Sequence, residues 1–148
     1  MVARRGVNDT IRKFGFPETL VREYTHWMVL LRPAQPTLGS LTLAAKSDAT
    51  SFAALHRDAY AELGVVTRMI EAALTRAVAY ERINYLMLMM VDPHVHMHVI
   101  PRYSGERTRL GVVFPDHGWP KLPELGHTVT LTAGQISEMT GWLTPLFG

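Results

Sequence analysis

Apolar residues along this chain follow two different periods. From His26 the run His-Trp-Met-Val-Leu-Leu-Arg is rich in β-formers and stops at Pro33. After the turn-prone segment Ala34-Gln35-Pro36-Thr37-Leu38-Gly39, the stretch Ser40-Leu41-Thr42-Leu43-Ala44 alternates polar and apolar positions, so the two segments predict an antiparallel strand pair. The polar loop Ser47-Asp48-Ala49-Thr50-Ser51 offers several N-caps to the longest helical signal in the chain. Tyr60, Leu63, Thr67, Ile70, Leu74 and Ala77 or Val78 recur at three- and four-residue steps, which predicts one long amphipathic helix packed on the sheet through that face, with Glu71 on the solvated side. Gly64 weakens this helix by up to roughly 1 kcal/mol relative to Ala, and it is expected to admit close packing or to mark a joint. Glu81-Arg82-Ile83-Asn84 closes the helix. The continuous run Tyr85-Leu86-Met87-Leu88-Met89-Met90-Val91 has strand length and no alternation, so it predicts a central strand buried on both faces, with Met87, Met89 and Met90 as core filling. Asp92-Pro93 is a turn dipeptide, and the next strand is expected from about His94.

The ends of the chain carry weaker signals. Asn8-Asp9-Thr10 reads as a helix start, Gly15-Phe16-Pro17 as a break, and residues 18–24 as a short helical turn. Residues 111–126 hold three prolines and three glycines and read as an extended loop. Thr128-Val129-Thr130-Leu131 predicts a short edge strand, and Thr132-Ala133-Gly134-Gln135 has the spacing of a capping box before a last helix through Leu143. Trp119 and Trp142 are expected to be at least partly buried.

Composition narrows the class. With 148 residues, 47% of them hydrophobic, the chain is read as one domain spanning 1–148. Fifteen basic and 13 acidic residues leave a formal charge of +2, too balanced for the electrostatic footprint of a duplex nucleic-acid binder, so any anionic ligand is expected to be small. There is no cysteine, so a metal would have to be held by His and carboxylates. No run reaches eighteen apolar residues and the first residues do not lead into a signal-like core, which predicts a cytoplasmic protein without a membrane partner.

Chemistry concentrates at Asp92-Pro93-His94-Val95-His96-Met97-His98-Val99-Ile100-Pro101-Arg102. On a strand, His94, His96 and His98 line one face, roughly 6–7 Å apart, while Val95, Met97 and Val99 line the other. A neutral imidazole is a nucleophile near pH 7, and neighbouring imidazoles can donate to phosphate oxygens or to a leaving group, so attack on phosphorus needs no metal here. Alternating histidines can also chelate Zn²⁺ or another transition ion, with Asp92 as the nearest further ligand. Arg102, Arg107 and Arg109 follow closely and suit phosphate oxygens. His26, His56, His117 and His127 carry no spacing signal and read as surface or partly buried residues.

The segment His94-Val95-His96-Met97-His98-Val99-Ile100 resembles the His-φ-His-φ-His-φ-φ signature, φ being apolar, of the histidine-triad superfamily of nucleotide hydrolases and transferases. The following Pro101-Arg102 is similar to the branch that cleaves dinucleoside polyphosphates, such as diadenosine polyphosphate. The similarity extends more loosely to the early strands, Gly39 and the long helix. It covers a core of about residues 25–103 and leaves 104–148 as a C-terminal extension. It implies an α+β fold with a five-stranded antiparallel sheet, one long helix and a C-terminal helix, usually as a homodimer. It further implies cleavage of a phosphoanhydride or phosphoramidate in a nucleotide substrate through a nucleotidyl-His96 intermediate, without a cofactor. His94 would orient His96 or bind phosphate, and His98 would support the middle ring. This chain departs from the pattern in three places: Met89-Met90-Val91-Asp92-Pro93 replaces a loop of side-chain phosphate donors, Arg32 stands where many members have asparagine, and Gly39-Ser40 replaces a Gly-His pair. Arg32, Ser40 and Arg102 are the candidate phosphate or ribose ligands. Asp92 is expected to turn the chain or hydrogen-bond His94. The alternatives are a nucleotide-binding protein without turnover and a His-rich metal-binding protein.

Overall fold

The computed structural model describes residues 6–148; residues 1–5, part of the start read above as lacking a signal-like core, lie outside the described residues. Five strands form one antiparallel sheet in the spatial order β1 (Leu20–Glu23), β2 (Trp27–Leu31), β4 (Leu41–Ala45), β6 (His96–Arg102), β5 (Arg82–Leu86). The long helix α2 (Arg57–Val78) and the C-terminal helix α3 (Ala133–Leu143) complete the expected α+β fold.

The strand registers decide which side chains share a face. Leu31, Leu41, Val99 and Tyr85 form one row across β2, β4, β6 and β5, and Leu30, Thr42, His98 and Leu86 form the next row on the opposite face. On the first face Trp27, Val29, Leu31, Leu41, Leu43, Met97 and Val99 pack against Ala59, Val66, Ile70, Ala73, Leu74 and Val78 of α2. Each fully buried aliphatic side chain there stabilises the fold by roughly 1.5–3 kcal/mol. The Trp27 indole donates to the Ala59 carbonyl at 2.8 Å and fixes the helix over β2. β2 and β4 are buried on both faces because the histidine face is also covered. There the short helix α1 (Asp9–Lys13) and its flanks lay Val7, Ile11, Phe14, Phe16 and Leu20 on Met28, Leu30 and Ala44.

Several elements differ from the sequence expectation for physical reasons. Ile70, Leu74 and Val78 of the expected α2 stripe are buried, but the stripe also takes in Ala59, Val66 and Ala73, whereas Tyr60 is 37% exposed and Leu63 and Thr67 only half-buried. Small side chains bring the helix close to the sheet, and Tyr60 reaches the Phe52 carbonyl instead. The helix starts at Arg57, capped by His56, and ends where Ala79 turns left-handed at φ 53°. A side chain at Gly64 would meet open space, so this glycine neither admits close packing nor marks a joint. Glu71 accepts from the Tyr85 hydroxyl at 2.6 Å rather than facing only water.

The apolar run before the histidines is not a central strand. β5 lies at the sheet edge and takes only Tyr85 and Leu86 from it; the chain then leaves the sheet, with Met89 at φ 44° and Leu88, Met90 and Val91 exposed by 50%, 85% and 81%. Met90 is therefore not core filling, while Met87 packs at the core's margin. Residues 18–24 contain strand β1 rather than a helical turn, because Val21 is needed in the core beside β2. Part of the expected loop at 111–126 is a hairpin, β7 (Glu106–Arg109) with β8 (Val112–Pro115), turned at Leu110 and Gly111 with φ 55° and 71°. The edge strand expected near 128–131 is β9 (Val129–Thr130), paired with β3 (Ala34–Gln35). The capping box at Thr132 and Gln135 forms as the spacing predicts, and Trp119 and Trp142 are both half-buried.

Candidate active site

His96 and His98 enter the β6 ladder opposite Ala44 and Thr42, on the face away from α2. The strand begins at His96, two residues later than expected, and His94 sits in the bend that leads into it. That bend brings the His94 carbonyl to 2.7 Å from Nδ1 of His96. A carbonyl oxygen only accepts, so Nδ1 of His96 carries the proton and the Nε2 lone pair is left for chemistry. The His94 ring lies 2.8 Å, through its Nδ1, from the Thr10 hydroxyl of α1.

His96 is buried, 2% exposed. The His98 ring meets it edge-on at a centroid separation of 5.2 Å, and Phe14 covers both rings at 5.3 and 5.8 Å. Burial, reinforced by the Arg32 charge and by His96 and opposed by Asp92, lowers the His98 pKa to about 4. His98 is therefore neutral near pH 7. Its Nδ1 is buried without a hydrogen-bond partner, as are Nη1 of Arg32 and Oγ1 of Thr42. Burial also lowers the pKa of Arg32.

Asp92 lies in the bend that turns the chain toward β6, as expected, and pairs with Lys13 at 2.7 Å rather than with His94. Its carboxylate is thereby neutralised beside the site, and α1 gains a second anchor. Two expected substrate ligands are committed to the fold. Arg102 is 3% exposed; its Nε and Nη2 donate to Asp116 at 2.7 and 3.1 Å, and its Nη1 donates to Asn84 at 2.8 Å. Ser40 is fully buried and donates to the Thr37 carbonyl at 2.8 Å within the turn before β4. Of the other two arginines, Arg107 caps α2 through the carbonyls of Val78 and Ala79, and Arg109 lies over the Trp142 ring. Arg32 alone of the expected ligands keeps unmet hydrogen-bonding capacity on the histidine face.

Thr10, Lys13 and Phe14 were not singled out in the sequence, since nothing local says that an N-terminal helix will lie across a strand some 84 residues later. Thr42 did carry a signal, as the polar member of an alternating strand. The remaining histidines lie elsewhere: His26 with His56, and His117 with His127, stack as near-parallel pairs. Among the described residues no group of three or more His, Cys, Asp or Glu side chains is placed to hold a metal ion. Leu86, opposite His98 in the sheet, lines a cavity of about 660 Å³ together with Arg82, Asn84 and Trp119, and none of the three histidines lines it.

Neither a family model nor a curated protein matches the sequence. Solved structures do match the fold. A histidine triad protein from Bradyrhizobium japonicum superposes with a TM-score of 0.72 over 95% of this chain and 96% of its own, at 17% identity. One from Sinorhizobium meliloti gives 0.72 over 93% of both chains at 18% identity. The diadenosine triphosphate hydrolase of Plasmodium falciparum gives 0.64 over 87% of this chain and 76% of its own, at 9% identity. The chain has the histidine-triad fold.

Proposed function

We propose that this protein is a nucleotide hydrolase or nucleotidyl transferase that cleaves a phosphoanhydride or phosphoramidate linkage, as in diadenosine polyphosphate, through a nucleotidyl-His96 intermediate. The observation that carries the reading is the Nδ1 contact of His96 with the His94 carbonyl, which fixes the tautomer and frees Nε2. Nε2 attacks the α-phosphorus, the phosphorus–nitrogen bond forms, and the bond to the leaving group breaks with its electron pair; the leaving group then takes a proton. Water, or another acceptor in a transferase, attacks the same phosphorus and loses a proton, and the bond to Nε2 breaks to restore the ring. His98, held neutral, donates as an imidazole N–H rather than as an imidazolium, and His94 positions His96 through its backbone. Arg32 remains as a substrate ligand. Arg102 and Ser40, fully engaged in the fold, are withdrawn from that role.

The diadenosine triphosphate hydrolase among the structural neighbours supports the reaction class. The lack of cysteine agrees with a cytoplasmic setting, and the free edge of β5 supports a homodimer. The test is turnover of a fluorogenic adenosine phosphoramidate and of a diadenosine polyphosphate by wild type, His96→Ala and His96→Gly. Wild type is expected to turn over one of them and to yield an adenylyl-protein on acid quench, and His96→Ala to lose at least about 10³-fold in rate. Nucleotide binding with neither turnover nor adenylyl-protein in wild type would make the protein a binder and sink the enzymatic reading.

A further inference from the structure

Three polar atoms on the histidine face are buried and unpaired: Arg32 Nη1, Thr42 Oγ1 and His98 Nδ1. They lie together. Thr42 pairs with His98 across β4 and β6, Leu30 pairs with Thr42 across β2 and β4, and Arg32 follows Leu30 by two residues on the same face. Its charge is near enough to act on His98. Buried polar groups are nearly always paired, since an unmade bond leaves the desolvation of the group uncompensated. No carboxylate is paired with Arg32 among the described residues. A cation held this way works against stability, and such groups persist where a ligand completes them.

Position separates this cluster from the point of attack. Ala44 is the residue opposite His96, while Thr42 is opposite His98 and Arg32 lies further along the same direction. Thr42 is therefore level with His98, and Arg32 lies beyond it on the side away from His96. The Arg32 guanidinium only donates, and the Thr42 hydroxyl and the His98 imidazole can each donate, so the group that completes all three is an acceptor. The fixed positive charge of Arg32 makes that acceptor an anion: a cation is repelled, and a neutral hydroxyl leaves the charge unpaired. Arg32 and His98 are half-buried as residues, while the three unpaired atoms themselves are covered.

We propose that Arg32, Thr42 and His98 form a cradle for a second anionic group of the substrate, a phosphate or a carboxylate carried apart from the linkage that His96 attacks. The assignment to the substrate rests on the nucleotidyl-His96 reading; the anion preference rests on the three unpaired donors. The cradle makes Arg32 and Thr42 specificity-determining residues, favouring substrates with an additional acidic group over those without one.

The probe is inorganic phosphate, titrated into wild type, His96→Ala, Arg32→Met and Thr42→Val by calorimetry and by NMR of the histidine rings. Wild type and His96→Ala are expected to bind alike, and phosphate, by neutralising Arg32, is expected to raise the His98 titration midpoint by at least one pH unit. Arg32→Met should bind at least tenfold more weakly and Thr42→Val severalfold more weakly. Arg32→Met should also melt at or above the wild-type temperature, because it removes an unpaired buried charge. Acetate in the same titrations identifies the group: tighter phosphate assigns a phosphate, tighter acetate a carboxylate, and binding of neither overturns the cradle. It is equally overturned if phosphate moves only the His96 signals, or if Arg32→Met unfolds earlier while binding is retained, which is the signature of a structural arginine. Absence of turnover with the phosphate response intact counts against the nucleotidyl-His96 reading alone; loss of the response while adenylyl-His96 still forms counts against the cradle alone.

Discussion

His98 faces Phe14, the His96 ring, the Arg32 guanidinium and, at longer range, Asp92, and the first three all disfavour a proton on it. Its folded pKa of about 4 lies below the ordinary value of 6.5 that it regains on unfolding. The unfolded chain therefore binds the proton first as pH falls. The stability contributed by keeping His98 neutral is fully present above about pH 6.5 and is lost progressively toward pH 4. Urea unfolding of wild type and His98→Gln at several pH values across that window isolates the effect. Wild type is expected to lose more stability than the variant over that window, and parallel curves would show that His98 is not held neutral by the fold. The spacing of the three histidines was legible because alternation is a property of the strand itself. The fates of Arg102 and Ser40 were not, since Asp116 lies in the segment read as an extended loop and the Thr37 carbonyl is a backbone group with no sequence signature.

Helix α1 has only five residues, too few to be stable alone, and it is held by what it touches. Asn8 caps it by accepting from the Ile11 amide at 2.9 Å, while its amide group donates to the Ala45 and Ser47 carbonyls at 3.2 and 3.0 Å. The cap that starts the helix thus also fastens it to β4 and the following loop. Through Thr10 and Phe14 the same helix holds the His94 ring and covers His96 and His98. Replacing Asn8 by Ala removes a cap and two further bonds, one buried and one part-buried, an expected loss of about 2–4 kcal/mol. Chemical modification of His96 should accelerate in the same variant, measured peptide by peptide with a histidine-selective reagent. Unchanged protection of His96 despite the lost stability would show that α1 does not guard it. Asn8-Asp9-Thr10 announced this helix in the sequence, but its docking place is a long-range contact that no local pattern encodes. The α2 phase was legible only in part: Ile70, Leu74 and Val78 of the expected stripe are buried, but toward the start of the helix Ala59 and Val66 face the sheet in place of Tyr60, Leu63 and Thr67.

At the scale of the molecule, the question is what residues 104–148 do for the site. Phe114, Leu131, Met139, Leu143 and Phe147 belong to the same buried cluster as Trp27, Leu43, Met97 and the inner face of α2. Met139, Leu143 and Phe147 recur at four-residue steps, the period of the last helix, but Phe114 and Leu131 stand apart from it, so the sequence showed the helix and turns of this region without showing how much of the core it fills. Thr144 further ties the chain end to the sheet by donating to the Val21 carbonyl of β1 at 3.1 Å. The far end of the chain thus braces α2, β1 and β2, the elements that share a core with the inner face of β6. Phe147, one residue from the end, is fully buried. Truncation to Ala is expected to cost about 3–5 kcal/mol in urea unfolding, the range for a buried phenylalanine. A terminal residue that merely rests on a finished domain would instead change stability by less than about 0.5 kcal/mol. The size of that loss decides whether residues 104–148 are an addition to the fold or part of what holds β6, and with it His96, in place.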